Sequence, residues 1–276
     1  MSDKTERHPI ALKTVRYAAP GTDAVIVRRD LPYDTADGAL TLDIYTPPPG
    51  TGDGPPRPVV LIVPGYRDVG VPHVLGCHLK EMGMSVSWAR LLAASGMVAI
   101  TYTTRDPQLD VHTVVRFVRQ HATSLGVADR IGLFAASANV VTALSALMQD
   151  AELTCAALLC GFTLDFDGSS SVDDAARTYG FVNACAGRSV DDLPGRTALF
   201  IARAGQDQFA GLNQALDHFV MGALNRNLPL TLVNYSAGAH GFDLDDDSDN
   251  SREIVRQILG FLQFHLGVSA AAKSRL

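Results

Sequence analysis

Ile131-Gly132-Leu133-Phe134-Ala135-Ala136-Ser137-Ala138-Asn139-Val140-Val141-Thr142-Ala143-Leu144-Ser145-Ala146-Leu147 is the stretch on which the reading of the fold turns. Its first part, Ile131–Ala135, is a short continuous apolar run, as expected of a strand buried on both faces. Its last part places Val140, Ala143, Leu144 and Leu147 at helical spacing, which predicts an amphipathic helix. Strand and helix are separated by only a few small residues, so the turn between them is tight. Ser137 sits in that turn. A serine on a sharp strand-to-helix turn with small flanks has the outline of a nucleophile elbow, in which neighbouring backbone must approach closely. Its hydroxyl would stand above the sheet, near the positive end of the following helix. The simpler reading of the same serine is a helix N-cap.

The pattern repeats on both sides. Val59–Val63, Met97–Tyr102, Cys155–Cys160, Ala198–Ala202 and Leu230–Val233 are further apolar runs bounded by turn-forming residues. Between them lie helical stripes: Trp88, Leu91, Leu92 and Ser95; Val111, Val114, Val115 and Val118, with Asp110 placed to cap; Leu212, Ala215, Leu216 and Phe219; and Val255, Ile258, Leu259 and Leu262. Strand–helix alternation over some 200 residues predicts an α/β fold, a mostly parallel sheet covered on both faces by helices. Leu40, Leu42 and Ile44 alternate with Thr41, Asp43 and Tyr45, which adds a half-buried strand at an antiparallel edge. Pro47–Pro58 reads as a loop. Residues 163–196 break the alternation. They are polar and acid-rich, and too long for a plain connection. The expected organisation is one domain over 1–276 with a short cap or loop insertion at 163–196.

Composition narrows the function classes. Of 276 residues 47% are hydrophobic, which excludes a disordered chain, and the net charge is −6. That charge, with an aromatic share of 7%, speaks against nucleic acid as a partner. No apolar run reaches the roughly 18 residues of a membrane helix, and Met1–Arg7 is polar rather than the start of a signal peptide. Cys77, Cys155, Cys160 and Cys185 lack both a disulfide framework and zinc spacing. The chain is therefore read as cytoplasmic with reduced thiols, and no metal is expected. A homodimer is compatible with the sequence.

In a parallel sheet, ligands bind beyond the carboxyl ends of the strands. Asp207 follows Ala198–Ala202, and His240 lies on the glycine-flanked loop after Leu230–Val233. A serine nucleophile needs a base and an orienting acid. The chain order Ser137, Asp207, His240 supplies both, each just past a strand. Among the other histidines, His112, His121, His218 and His265 fall on helices and His8 in the polar N-terminal stretch. His73 and His78 read as solvated loop residues more readily than as metal ligands with Cys77. Asp165 and Asp167 are the runner-up acids. The run from Asp243 to Asp249 reads as a solvated acidic loop, with calcium binding as a minor alternative. An oxyanion needs two donors. The backbone N–H groups of Ala138 and of Tyr66, in Pro64-Gly65-Tyr66, are the candidates. Tyr66, Phe162, Phe166 and Phe209, near strand ends, are the expected substrate contacts.

These residues resemble the α/β-hydrolase superfamily from about Leu40 onward. Leu40-Thr41-Leu42-Asp43-Ile44-Tyr45-Thr46-Pro47 looks like the first strand of esterase/lipase-type members. Ala239-His240-Gly241-Phe242-Asp243 is similar to the histidine segment of esterases and dienelactone hydrolase-like proteins. The resemblance implies an eight-stranded sheet, no cofactor and hydrolysis of a small-molecule ester. Two positions depart from the pattern. Ala135 and Asn139 stand where an elbow usually has glycine, and the Gly65 loop lacks a His-Gly-Gly motif. The expected function is that of a serine hydrolase acting on a small neutral ester. The alternatives are a catalytically silent scaffold that binds a small ligand, and acyl transfer or C–C bond hydrolysis with the same three residues.

Overall fold

The structure is a computed structural model and describes residues 6–36, 38–48, 55–166 and 168–268. Residues 49–54 of the expected loop Pro47–Pro58, and the runner-up Asp167, lie outside the described residues, and the last two positions of that loop belong to the strand Arg57–Ile62. Among the described residues eight strands form one sheet: β1 (Ile26–Asp34), β2 (Leu40–Thr46), β3 (Arg57–Ile62), β4 (Val98–Tyr102), β5 (Val127–Ala136), β6 (Cys155–Leu159), β7 (Ala198–Ala204) and β8 (Leu230–Tyr235). Their spatial order is β1-β2-β4-β3-β5-β6-β7-β8. Only the β1–β2 and β2–β4 pairs are antiparallel. The helices are α1 (Pro9–Leu12), α2 (Val71–Leu75), α3 (Gly83–Ala94), α4 (Pro107–Gln120), α5 (Ala122–Leu125), α6 (Val140–Gln149), α7 (Ser171–Tyr179), α8 (Leu212–Asn225), α9 (Phe242–Asp245) and α10 (Asp249–His265).

The continuous apolar runs make strands buried on both faces because each face has its own helical layer. Val59, Leu61, Ile131, Leu133 and Ala135 join the core under α4, α6 and α8. Val60, Ile62, Phe134 and Ala136, alternating with them along the same strands, join the core under α3 and α10. At about 25 cal/mol per Å² of apolar surface, this double burial is the dominant favourable term of the fold.

Three expectations are corrected. Leu230–Val233 is a strand but not a buried one. It is the outer edge of the sheet, and residues 231, 232 and 234 are exposed. The alternation in β2 suggests one wet face, yet β2 is paired on both sides and Asp43 is buried. The buried Lys80 accounts for it: its ammonium donates at 2.5 Å to both Asp43 and Asp30. Asp106, not Asp110, caps α4, accepting from Gln108 N–H at 3.0 Å with Pro107 in the first turn. This is the Asp-Pro start that proline's fixed φ favours. Asp110 sits one turn in and gathers Thr104 Oγ1 and the Arg105 and Asp106 amides at 2.7–2.8 Å.

The segment 163–196 carries α7 and a 3₁₀ turn, Val190–Asp192. Asp165, a runner-up acid, is committed to the start of α7, accepting from Val172 N–H at 2.8 Å and Asp173 N–H at 3.1 Å. The carboxyl ends of β3, β5, β7 and β8 all open on one edge of the sheet, and each is followed by a candidate residue.

Candidate active site

β5 ends at Ala136, and Ser137 takes φ = +59° before α6 begins. A non-glycine residue in the left-handed region costs about 1 kcal/mol or more. It is held there because the strand on one side and the buried helix on the other fix both ends of the turn. Ala135 is fully buried with its methyl accommodated, so alanine serves where the elbow pattern has glycine.

Ser137 Oγ lies 2.7 Å from His240 Nε2, and His240 Nδ1 lies 2.6 Å from Asp207 Oδ2. The adjacent parallel strands β7 and β8 bring the acid and the imidazole together. Their following turns are pressed against each other: a Cβ on Gly205 would stand 2.5 Å from Ser236 O. The Asp207 side chain is completely buried, and its other oxygen accepts from Phe209 N–H at 3.0 Å. Phe209 packs edge-on against the imidazole, with ring centroids 4.5 Å apart. This set can pass a proton from a hydroxyl to an imidazole whose far nitrogen faces a fixed carboxylate.

The loop after β3 runs beside the elbow. Gly65 is required there by space, since a Cβ would meet Ala138 O at 2.7 Å and Asn139 Cα at 2.8 Å. Its N–H donates to Asn139 Oδ1 at 2.7 Å, and its carbonyl accepts from Val182 N–H at 2.9 Å. With the Gly65 amide engaged, the Tyr66 N–H is the next donor along the loop.

A cavity of about 400 Å³ opens from Ser137 and His240. Of the expected contacts, Tyr66 and Phe209 line it, as do Ala138 and Asn139. Phe162 and Phe166 do not. Phe162 is buried in the core, stacked on Phe181 at 5.4 Å, and Phe166 stacks on His218 at 3.5 Å. Among the described residues of 163–196 none lines the cavity either. Its apolar wall includes Ile10 from the N-terminal segment, Leu79, Met82 and Met84 from the approach and start of α3, Ile62 and Leu159 at the ends of β3 and β6, and Leu244 in α9. Periodicity carries no signal for Ile10, Met82 or Met84, because the N-terminal stretch and the start of α3 meet the site only through tertiary contacts. Arg16 N–H donates to Asp243 O at 2.7 Å, Lys13 pairs with Asp245 at 2.6 Å, and His8 N–H donates to Leu75 O at 3.1 Å.

The acidic loop after His240 is less solvated than its composition suggests. Asp243 is buried and accepts from Trp88 Nε1–H at 2.9 Å. Burial pushes its carboxyl up to about 6, against the lowering effect of the Trp88 bond. A carboxyl raised above its unfolded value stabilises the fold fully below that unfolded value, near pH 4, and loses the contribution as pH climbs through 6. Asp243→Asn keeps an acceptor for Trp88 and removes the charge. Between pH 4 and 7.5 the protein is therefore expected to lose roughly 2–3 kcal/mol relative to that variant. Urea midpoints of both proteins at the two pH values check this, and parallel shifts would contradict it. Among the described residues no group of His, Cys, Asp and Glu side chains is arranged to hold a metal ion, and no helix is long and apolar enough to cross a membrane.

No family model and no curated protein matches the sequence. Solved structures do match the architecture. The thermophilic esterase Est2 of Thermogutta terrifontis superposes with a TM-score of 0.65 at 20% identity, covering 93% of this chain and 97% of its own. The chain has the α/β-hydrolase fold. An esterase of Rhizomucor miehei aligns over 88% of this chain and 84% of its own, with a TM-score of 0.63 at 13% identity. The esterase LipW of Mycobacterium marinum aligns over 88% and 82%, with a TM-score of 0.63 at 16% identity. Within the α/β-hydrolase fold, the turns after β5, β7 and β8 are where Ser137, Asp207 and His240 stand.

Proposed function

We propose that the protein is a serine carboxylesterase that cleaves a small neutral ester through an acyl-enzyme. The observation that carries this reading is the unbroken hydrogen-bonded chain from Ser137 Oγ through His240 to buried Asp207, built on a left-handed elbow. His240 Nε2 takes the hydroxyl proton as Ser137 Oγ attacks the ester carbonyl. Asp207 holds the other nitrogen protonated and stabilises the imidazolium that forms. The amides of Tyr66 and Ala138 receive the oxyanion. Collapse expels the alcohol, which takes the proton from His240. Water, deprotonated by the same imidazole, then attacks the acyl-enzyme, releasing the acid and restoring Ser137.

The apolar wall of Ile62, Met82, Met84 and Leu159 supports an uncharged acyl or alcohol group in the cavity. Lys80, which also reaches the cavity, is neutralised by Asp30 and Asp43 rather than free to hold an anion. Four buried thiols suit a reducing, cytoplasmic setting. Esterase 2 of T. terrifontis is described as phosphonylated by sarin, which makes an organophosphorus probe the direct test here. A fluorophosphonate is expected to label Ser137 stoichiometrically and to stop turnover of a short-chain p-nitrophenyl ester. A chain that neither labels nor turns over would be a silent scaffold.

A further inference from the structure

We infer that Asn139 is a positioning residue for the oxyanion hole, acting through the Gly65–Tyr66 peptide. The inference rests on the reading of Ser137 as the nucleophile. Asn139 occupies the second position after that serine, where an elbow with glycine would offer no side chain. Its amide oxygen takes the Gly65 N–H at 2.7 Å. That bond anchors the loop after β3 to the elbow itself, at a point where the two backbones already touch: Gly65 has room for no Cβ against Ala138 and Asn139.

A second clamp acts on the next peptide group. The Gly65 carbonyl accepts from Val182 N–H at 2.9 Å. In a trans peptide the carbonyl and the following N–H point in opposite directions. Drawing Gly65 O toward Val182 therefore turns the Tyr66 N–H the other way. Val182 is itself steadied by its neighbour Phe181, which stacks on Phe162 at 5.4 Å and meets the Tyr66 ring edge-on at 6.2 Å. One clamp sets where the loop lies and the other sets how the donor peptide is turned. The segment 163–196, whose described residues give the cavity no wall, thereby acts on the chemistry from behind the loop. A donor held in place before the reaction needs no reorganisation as charge develops, which is the condition under which it accelerates the step.

The test uses the full chain with Asn139→Ala and Asn139→Gly, the second placing the more usual elbow residue. Both are assayed with a short-chain p-nitrophenyl ester and with a trifluoromethyl ketone, whose adduct with the serine mimics the oxyanion. The expected result is a fall of about 10- to 100-fold in kcat in both variants. KM and the pH dependence of kcat/KM should stay put, and ketone affinity should fall by the same factor as kcat. Retained fluorophosphonate labelling and a melting temperature above the assay temperature show that the variants are folded with the nucleophile in place. Unchanged kcat and ketone affinity in both variants would overturn the positioning role while leaving the esterase reading intact. So would a rise in KM alone, which marks a substrate contact. Absence of labelling and turnover in the unaltered chain would overturn the esterase reading, and this inference with it.

Discussion

Ser137→Ala is expected to lower kcat toward a short-chain aryl ester by about 10⁴- to 10⁶-fold and to abolish fluorophosphonate labelling. The residual rate over water would come from the oxyanion donors and from substrate binding. The fold should survive, because the alanine keeps a Cβ in the same left-handed turn and loses only one hydrogen bond, to His240. One such bond is worth about 1 kcal/mol, a shift of only a few degrees in melting temperature for a chain of this size. An unfolded variant would make the activity loss uninformative, so circular dichroism melts accompany the assay. Turnover that persists in a folded Ser137→Ala protein would remove the serine from the mechanism.

Asp207→Asn should cost nearly as much, about 10⁴-fold in kcat at neutral pH. The surroundings of Asp207 say why an isosteric change is so severe here. One carboxylate oxygen accepts from Phe209 N–H at 3.0 Å, and the other faces His240 Nδ1 at 2.6 Å. An asparagine satisfies the Phe209 amide only by turning its oxygen that way, which aims its NH₂ at the imidazole. His240 must then present a lone pair at Nδ1 and carry its proton on Nε2, facing Ser137. In that tautomer it cannot accept the serine proton. The loss should appear in kcat with little change in KM, and probe labelling should slow in parallel. A variant within tenfold of the parent would mean that the carboxylate does not set the tautomer.

The sheet was legible from sequence because its signal is local. Runs such as Ile131–Ala135 and Cys155–Cys160 are apolar over just the length of a strand, and the stripes between them show which helix face is inward. The candidates Ser137, Asp207 and His240 were legible because each lies in the turn or loop after such a run, and the topology then gathers them. The rest depended on tertiary packing. The exposure of β8 follows from its being last in the sheet, which no residue in Leu230–Val233 announces. Asp243 reads as one acid among several until Trp88 is placed beside it. The cavity wall contributed by Ile10 depends on the path of the N-terminal segment, and that by Met82 and Met84 on how the start of α3 packs. Phe162 and Phe166 were plausible as contacts because both lie near a strand end. One instead fills the core beside Phe181, and the other covers His218.

The path of that N-terminal segment separates two jobs that most folds combine. Ser137, Asp207 and His240 hang from the sheet, whose strands cannot change without disturbing both cores. The wall at Ile10 and Lys13 belongs to a stretch that precedes the sheet in sequence. It is held to the body by backbone hydrogen bonds, by the Lys13–Asp245 ion pair and by the buried Ala11 and Val15, while Ile10 itself is half exposed. Substitutions at Ile10 and Lys13, which belong to neither core cluster, can reshape the pocket without opening a cavity in the core. Those two positions are thus a place where selectivity can drift over generations while the residues on the sheet stay still.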